Sequence, residues 1–300
     1  MIIQSKRVWI AGQFLAMQIE MQNGKITDIL PYGTKAADID YGDKRIVPGF
    51  IDVHTHGAYG FDTNDAEPEG LRDWMKRIPE EGVTAILPTT VTQMPDVLTA
   101  ALKNVAAVVS EGYEGAEILG VHFEGPYLDM EYKGAQPPEA IAKATVEQFK
   151  MYQEAAQGLI KYITMAPEHD ENFALTRYCR ETGVVVSMGH SSATYEQAML
   201  GIANGATSMT HVYNGMTPYH HRKPGLVGTA LRVRDIYGEI ICDGCHSHLA
   251  ALNSCTINPA RCLGADNRKG KIVTGYDADL VILEDNYDVT QTYCKGTPML

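Results

Sequence analysis

The chain has 300 residues, with 45% hydrophobic and 21% charged side chains, the balance of a folded globular protein. Its formal net charge of −12 argues against a nucleic-acid groove or an anionic membrane surface as partner. No apolar run approaches the roughly 20 residues that span a bilayer, no signal peptide opens the chain, and the six cysteines are scattered in apolar or helical contexts, so a cytoplasmic protein with reduced thiols is expected.

Residues 1–46 carry short alternating strands with turn residues at Asn23-Gly24 and Tyr41-Gly42-Asp43, the pattern of a small antiparallel sheet. Residues 47–53 read as one buried strand, apolar and β-branched, with Pro48-Gly49 at its entry. It ends in His54-Thr55-His56. Two histidines one residue apart on a strand point to the same side, where one divalent cation could bind both. Beyond them, further strands are predicted to end near Thr90, Glu124, Glu168, His190, His211 and His246. Helical apolar spacing marks residues 70–81, 95–110, 145–158 and 171–182. Strand-helix alternation predicts parallel β/α units. Polar residues at strand C-terminal ends predict a (β/α) barrel with its active site at that face.

The strand ends carry the chemistry. The first offers His54 and His56, the third Glu124 followed by Gly125-Pro126, the fifth His190, the sixth His211 and the seventh His246; Glu168 at the fourth is less clear. Any one of these alone is more often an ordinary surface or core residue. Their recurrence at successive strand ends is not explained that way. Imidazoles and a carboxylate without thiolates suit zinc, iron(II) or manganese in a catalytic site. Such an ion acidifies water and polarises a carbonyl, so the implied chemistry is hydrolysis.

Over nearly its whole length the sequence resembles the amidohydrolase superfamily, and within it the N-acetylglucosamine-6-phosphate deacetylase family. The motifs are Pro-Gly-Phe-Ile-Asp-Val-His-Thr-His-Gly at 48–57, His-Phe-Glu-Gly-Pro at 122–126, Lys-Gly-Ala-Gln at 133–136, Ala-Pro-Glu at 166–168, Gly-His-Ser-Ser-Ala at 189–193 and Thr-His-Val-Tyr-Asn-Gly-Met at 210–216. Thr-Ile-Asn-Pro-Ala-Arg at 256–261 and Gly-Tyr-Asp-Ala-Asp-Leu-Val at 275–281 match as well. The resemblance implies a (β/α)8 TIM-type barrel over residues 47–266 and a small β-sandwich built from 1–46 and 267–300. It implies one divalent ion held by Glu124, His190 and His211, and a second at His54 and His56. It implies that His246 contacts the substrate and polarises its carbonyl, and that Gln136, Asn214 and Gly215 contact an amino-sugar phosphate. Arg222, in a loop that otherwise reads as merely solvated, resembles an arginine that reaches the phosphate from a neighbouring subunit, which implies a homodimer.

One expected part is not found. The family's eighth strand ends in a Thr/Ser-Asp motif whose aspartate is the general base and then the acid. Here residues 249–264 resemble the helix after that strand, so several tens of residues are missing between about Ser247 and Leu252. Asp285, at the exit of the strand-like run 278–285, is the rival carboxylate. A barrel without its eighth strand has open edges. Two other readings compete. Cys242-Asp243-Gly244-Cys245-His246 matches a c-type haem attachment pattern, but no export signal accompanies it. A relative that binds metal and sugar phosphate without turnover is the stronger alternative, because the catalytic aspartate is absent.

Overall fold

The structure, a computed structural model, describes residues 1–241 and 257–300. Five strands open the chain: β1 (Ile2–Ile10), β2 (Gln13–Gln22), β3 (Lys25–Pro31), β4 (Ile39–Asp40) and β5 (Arg45–Pro48). Ten follow Gly49: β6 (Phe50–Thr55), β7 (Gly57–Ala58), β8 (Phe61–Asp62), β9 (Val83–Thr90), β10 (Glu117–Ile118), β11 (Val121–Glu124), β12 (Ile160–Met165), β13 (Val185–Met188), β14 (Ser208–Met209) and β15 (Tyr237–Gly238). The last three are β16 (Leu280–Leu283), β17 (Val289–Cys294) and β18 (Thr297–Pro298).

Both chain ends build one hydrogen-bonded sheet in the order β18-β17-β16-β5-β1-β2-β3, with β4 beside β1. The turn between β2 and β3 places Asn23 and Gly24 at φ 52° and 75°, the paired positive values that a two-residue hairpin requires. Ile3, Val8, Ile19, Ile26, Ile46, Leu280, Ile282 and Tyr293 form its core. The continuous strand expected over residues 47–53 is two strands. β5 pairs antiparallel with β16, and β6 pairs parallel with β9. The break falls at Gly49, whose N–H donates to the Asp279 carbonyl at 2.9 Å. A Cβ there would lie 2.2 Å from Thr84 Oγ1, so only glycine lets the chain pass between sheets.

The second sheet is parallel and curled: β6, β9, the broken strand β10/β11, then β12, β13, β14 and β15. Helices α1 (Pro68–Arg77), α2 (Pro95–Glu111), α3 (Val146–Ala155), α4 (Ala174–Glu181), α5 (Tyr195–Asn204), α6 (Gly225–Arg232) and α7 (Ile257–Cys262) accompany it. Four of them occupy the stretches marked by helical spacing, with a short 3₁₀ turn at Ile78–Glu81 finishing the first. Thr145 caps α3, and Thr194 with Gln197 makes a capping box on α5. The core of this layer joins Leu71, Trp74, Leu102, Phe123, Phe149, Ile163 and Val186.

Among the described residues, β6 pairs with β9 and β15 with β14, and no pairing closes the sheet. With β10 and β11 taken as one broken strand, seven parallel strands and no eighth occur among the described residues. The seventh strand's expected end at His246 lies outside the described residues; the strand residues within them are Tyr237 and Gly238. β16 belongs to the first sheet, and Asp285 beyond it is exposed and paired with Arg7 at 2.7 Å, so it is no substitute for a barrel carboxylate. Among the described residues no helix is long and apolar enough to cross a membrane. Cys179, Cys262 and Cys294 are free.

The two sheets are stapled by ions. Lys269, almost fully buried, reaches Glu117 of β10 at 2.8 Å and Asp279 at 2.5 Å. Arg268 grips both oxygens of Glu117 at 3.0 and 3.1 Å and Asp277 at 2.7 Å.

Candidate active site

Glu124 ends β11 and is 1% exposed. The chain turns immediately after it at Gly125, where φ is 76° and an added Cβ would lie 2.0 Å from Thr92 Oγ1. Four imidazoles surround the carboxylate. His54 and His56 come from β6 and the residue just past it, His190 and His211 from just past β13 and β14. Their Nε2 atoms stand 3.3, 3.3, 3.1 and 3.5 Å from the nearer Glu124 oxygen.

The opposite ring nitrogens explain this orientation. Nδ1 of His190 faces the Tyr132 carbonyl at 2.8 Å, that of His211 the Asn214 carbonyl at 3.0 Å, and that of His56 the Thr89 carbonyl at 3.3 Å. Nδ1 of His54 faces Glu239 Oε2 at 2.8 Å. A carbonyl can only accept, so Nδ1 carries a proton in those rings, and Nε2 is the nitrogen left facing Glu124, a donor to it while protonated and a ligand atom once that proton is lost. His190 and His211 point Nε2 at each other across 3.1 Å, beside Glu124. Ring nitrogens converging on a buried carboxylate, with no thiolate, make groups that could hold a divalent cation. Two such groups share Glu124: one with His54 and His56, the other with His190 and His211. Burial alone would raise the Glu124 pKa, but the surrounding imidazoles, His54 foremost, hold it well below the usual carboxylate range.

Local backbone strain supports the arrangement. His190, His211 and Tyr213 have φ of 47°, 28° and 82°, a region that side chains other than glycine rarely adopt and that costs of order 1–3 kcal/mol each. Gly215, at φ 57°, sits so close that a Cβ would lie 3.1 Å from His190 Nδ1. Asn214 keeps a buried Nδ2 with no hydrogen-bond partner among the described residues, an orphan donor at the site's rim. Gln136, expected to touch substrate, has both amide atoms on protein partners: Nε2 donates to Glu124 Oε2 at 2.7 Å and Oε1 accepts from the Thr92 N–H at 2.8 Å. Arg222 lies in an exposed loop, its guanidinium without an ion-pair partner among the described residues. His246 lies outside the described residues.

Sequence reasoning missed Glu239. It follows β15 directly, and its carboxylate side chain, 8% exposed, lies against His54, Tyr162 (2.6 Å) and Ser187 (3.3 Å). An acid inside the apolar run Tyr237-Gly238-Glu239-Ile240-Ile241 was the available signal. His122, two residues before Glu124 and thus on its side of the strand, is not a ligand. Both its nitrogens are engaged, at 2.8 Å with the Val53 carbonyl and at 2.7 Å with Thr164 Oγ1, and burial pushes its pKa down to about 3. Glu168 serves the His190 turn, accepting from Ser191 Oγ at 2.7 Å and the Ser192 N–H at 2.6 Å.

Comparisons with known proteins show the family and the fold. The profile of the amidohydrolase family matches residues 45–250 and 243–299, two pieces that meet at 243–250. An N-acetylglucosamine-6-phosphate deacetylase of Bacillus subtilis is 35% identical over 335 residues, covering 85% of this chain and 84% of the relative. That of Lysinibacillus sphaericus is 38% identical over 244 residues, and an N-acetylgalactosamine-6-phosphate deacetylase of Escherichia coli O157:H7 is 35% identical over 238; the chain spans 63% of each. Since 85% of 300 residues is about 255, about 80 of the 335 aligned positions of the Bacillus subtilis relative have no counterpart here. Among solved structures, an N-acetylglucosamine-6-phosphate deacetylase of Thermotoga maritima superposes with a TM-score of 0.86 at 25% identity, covering 100% of this chain and 99% of that one. A Mycobacterium smegmatis deacetylase variant in complex with N-acetyl-D-glucosamine-6-phosphate superposes with a TM-score of 0.93 at 22% identity, covering 100% and 99%, a likeness of fold.

Proposed function

Because the chain belongs to the amidohydrolase family, we propose that it acts on the N-acetyl group of N-acetylglucosamine 6-phosphate, giving glucosamine 6-phosphate and acetate. The observation that carries this reading is the set of four imidazoles presenting Nε2 to the single carboxylate of Glu124. A divalent cation held by Glu124, His190 and His211, with a second at His54 and His56, would supply Lewis-acid polarisation of the amide carbonyl and a more acidic water. The chain's own groups do the rest. The carbonyl and carboxylate partners on Nδ1 fix the ring tautomers. The Asn214 amide and the Gly215 backbone offer donors to the 6-phosphate, and Arg222, exposed as a residue serving a neighbouring copy must be, completes that contact in a homodimer. His246 is assigned to the substrate carbonyl. In the reaction the amide C–N bond breaks, the acetyl carbon gains the hydroxyl of water, and the amine gains the proton.

A second reading has its own support. The profile match in two pieces and the positions absent relative to the Bacillus subtilis protein favour a chain that binds metal and sugar phosphate with little turnover.

Metal analysis of the purified protein beside Glu124→Gln tests the centre: about one ion or more in the native chain and a marked loss in the variant are expected. Equal content in the two would remove the assignment. For the substrate, Arg222→Ala is expected to weaken binding of the phosphorylated sugar by roughly 1.5–3 kcal/mol, the scale of a hydrogen bond to a charged group, and to leave the unphosphorylated sugar unaffected. An unchanged preference for the phosphorylated sugar in a calorimetric titration would refute Arg222's role.

A further inference from the structure

Three of the four rings around Glu124 are held from behind by backbone carbonyls, and the fourth, His54, is held by a carboxylate. Glu239 is itself pinned. Its Oε1 accepts from Tyr162 OH at 2.6 Å and from Ser187 Oγ at 3.3 Å, while Oε2 takes His54 Nδ1 at 2.8 Å and lies 3.4 Å from the His211 N–H. The carboxylate therefore touches one member of each ligand pair. His54, His122 and Glu239 also lie close enough to suggest a separate cation site, but both His122 nitrogens are already engaged, so that cluster is a buried hydrogen-bond network. A carboxylate behind a ligating imidazole fixes the ring and increases its donor strength, and removing such a partner typically costs 10–100-fold in metal affinity.

From this we infer that Glu239 is a positioning residue that sets His54 for a second cation, so that occupancy of the His54–His56 side depends on a residue that never touches the ion. The inference rests on the metal centre proposed above and goes beyond it by separating the two ions. His56 is the weaker anchor of its pair, with a 3.3 Å contact to Thr89, so most of the orientation on that side comes through His54. Tyr162 binds the other oxygen of the same carboxylate, and this makes a control available. Tyr162→Phe removes a hydrogen bond from Glu239 and leaves the oxygen facing His54 in place.

The test is a zinc titration of the metal-stripped full chain against a chelating indicator, for the native protein, Glu239→Gln and Tyr162→Phe, with thermal melting as the control for folding. Two ions are expected on the native chain. In Glu239→Gln the second should bind 10–100-fold more weakly, with the first changed less than threefold, and Tyr162→Phe should match the native protein. Native affinities for both ions in Glu239→Gln would overturn the inference, and so would an equal loss in Tyr162→Phe, which marks general packing. A native chain that takes up a single ion also overturns it and leaves the metal centre standing. A native chain that binds no zinc sinks the metal centre itself. Should Glu239→Gln fail to fold, Glu239→Asp carries the same comparison, its shorter carboxylate giving a second ion of intermediate affinity.

Discussion

Acetate release from N-acetylglucosamine 6-phosphate is expected to rise by about 10²–10⁴-fold when the roughly 80 positions present in the Bacillus subtilis relative are inserted between residues 247 and 252, the range that one positioned acid-base group contributes. Amide cleavage needs a proton delivered to a poor amine leaving group. The described site has no carboxylate free to deliver it. Glu124 is enclosed by four imidazoles and Gln136, and Glu239 is committed to His54, Tyr162 and Ser187. Asp52 accepts from the His54 N–H and from Thr55 Oγ1, and Asp129 from Ser192 and His169. Asp285 lies in the other sheet. The family match breaks at 243–250, where the sequence also places the missing aspartate. The measurement is kcat and KM for the two chains at matched metal content. Equal kcat in the 300-residue chain and the restored one would show that the proton comes from a group already present, and the carboxylates just named would be the variants to make.

Lys269→Met is expected to lower the stability of the fold by about 3–5 kcal/mol in urea unfolding, because it strips one partner from a buried ionic cluster and leaves the other charges behind. Lys269 is 2% exposed and lies between Glu117 and Asp279. Burial alone would raise the Glu117 pKa, but Arg268 and Lys269 outweigh it and bring it down to about 2. Its folded value is below its unfolded one, so Glu117 contributes its stability in full above the unfolded pKa of about 4.5 and loses it as the pH falls towards 2. Asp279, more deeply buried, is raised by desolvation and protonates first. The difference between native and Lys269→Met proteins should therefore shrink on acidification through that window. A loss under 1 kcal/mol at neutral pH would mean that the cluster relaxes or admits water, and the staple between the sheets would lose its standing.

How far the sequence could be read depended on the kind of signal. Apolar spacing places α2 within a residue or two, because a helix that packs on a sheet must repeat its buried face. That His54, His56, Glu124, His190 and His211 come together was legible for a related reason: strand ends expose alternate residues to one face, and all five lie at or just past such ends. Gly49 was not legible. The run through residues 47–53 is uniformly apolar, and periodicity says nothing about a change of pairing partner; the close approach of Thr84 settles it. Glu239 was hidden for the opposite reason. Its burial is tolerable only because His54, Tyr162 and Ser187 converge on it from three other strands, a long-range arrangement that no local pattern announces. The left-handed backbone at His190 and His211 was not legible either, since residues other than glycine adopt it in only a few per cent of cases, histidine more often than most, and no local pattern marks which ones do.

The interleaving of β5 and β1 with β16 has a bearing on how the molecule is made. A chain emerging from the ribosome delivers β1 to β5 first and β16 to β18 last, with the entire parallel sheet synthesised between them. Until residues 280–283 appear, the β5 edge that they cover has no partner, and Ile46 lacks Leu280 and Ile282 against it. The nascent N-terminal hairpins thus wait as an incomplete sheet with a sticky border, the state in which chaperones engage and neighbouring chains pair wrongly. Ribosome-stalled chains ending before residue 280 should be cut readily by protease within residues 1–48, and chains released at full length should resist.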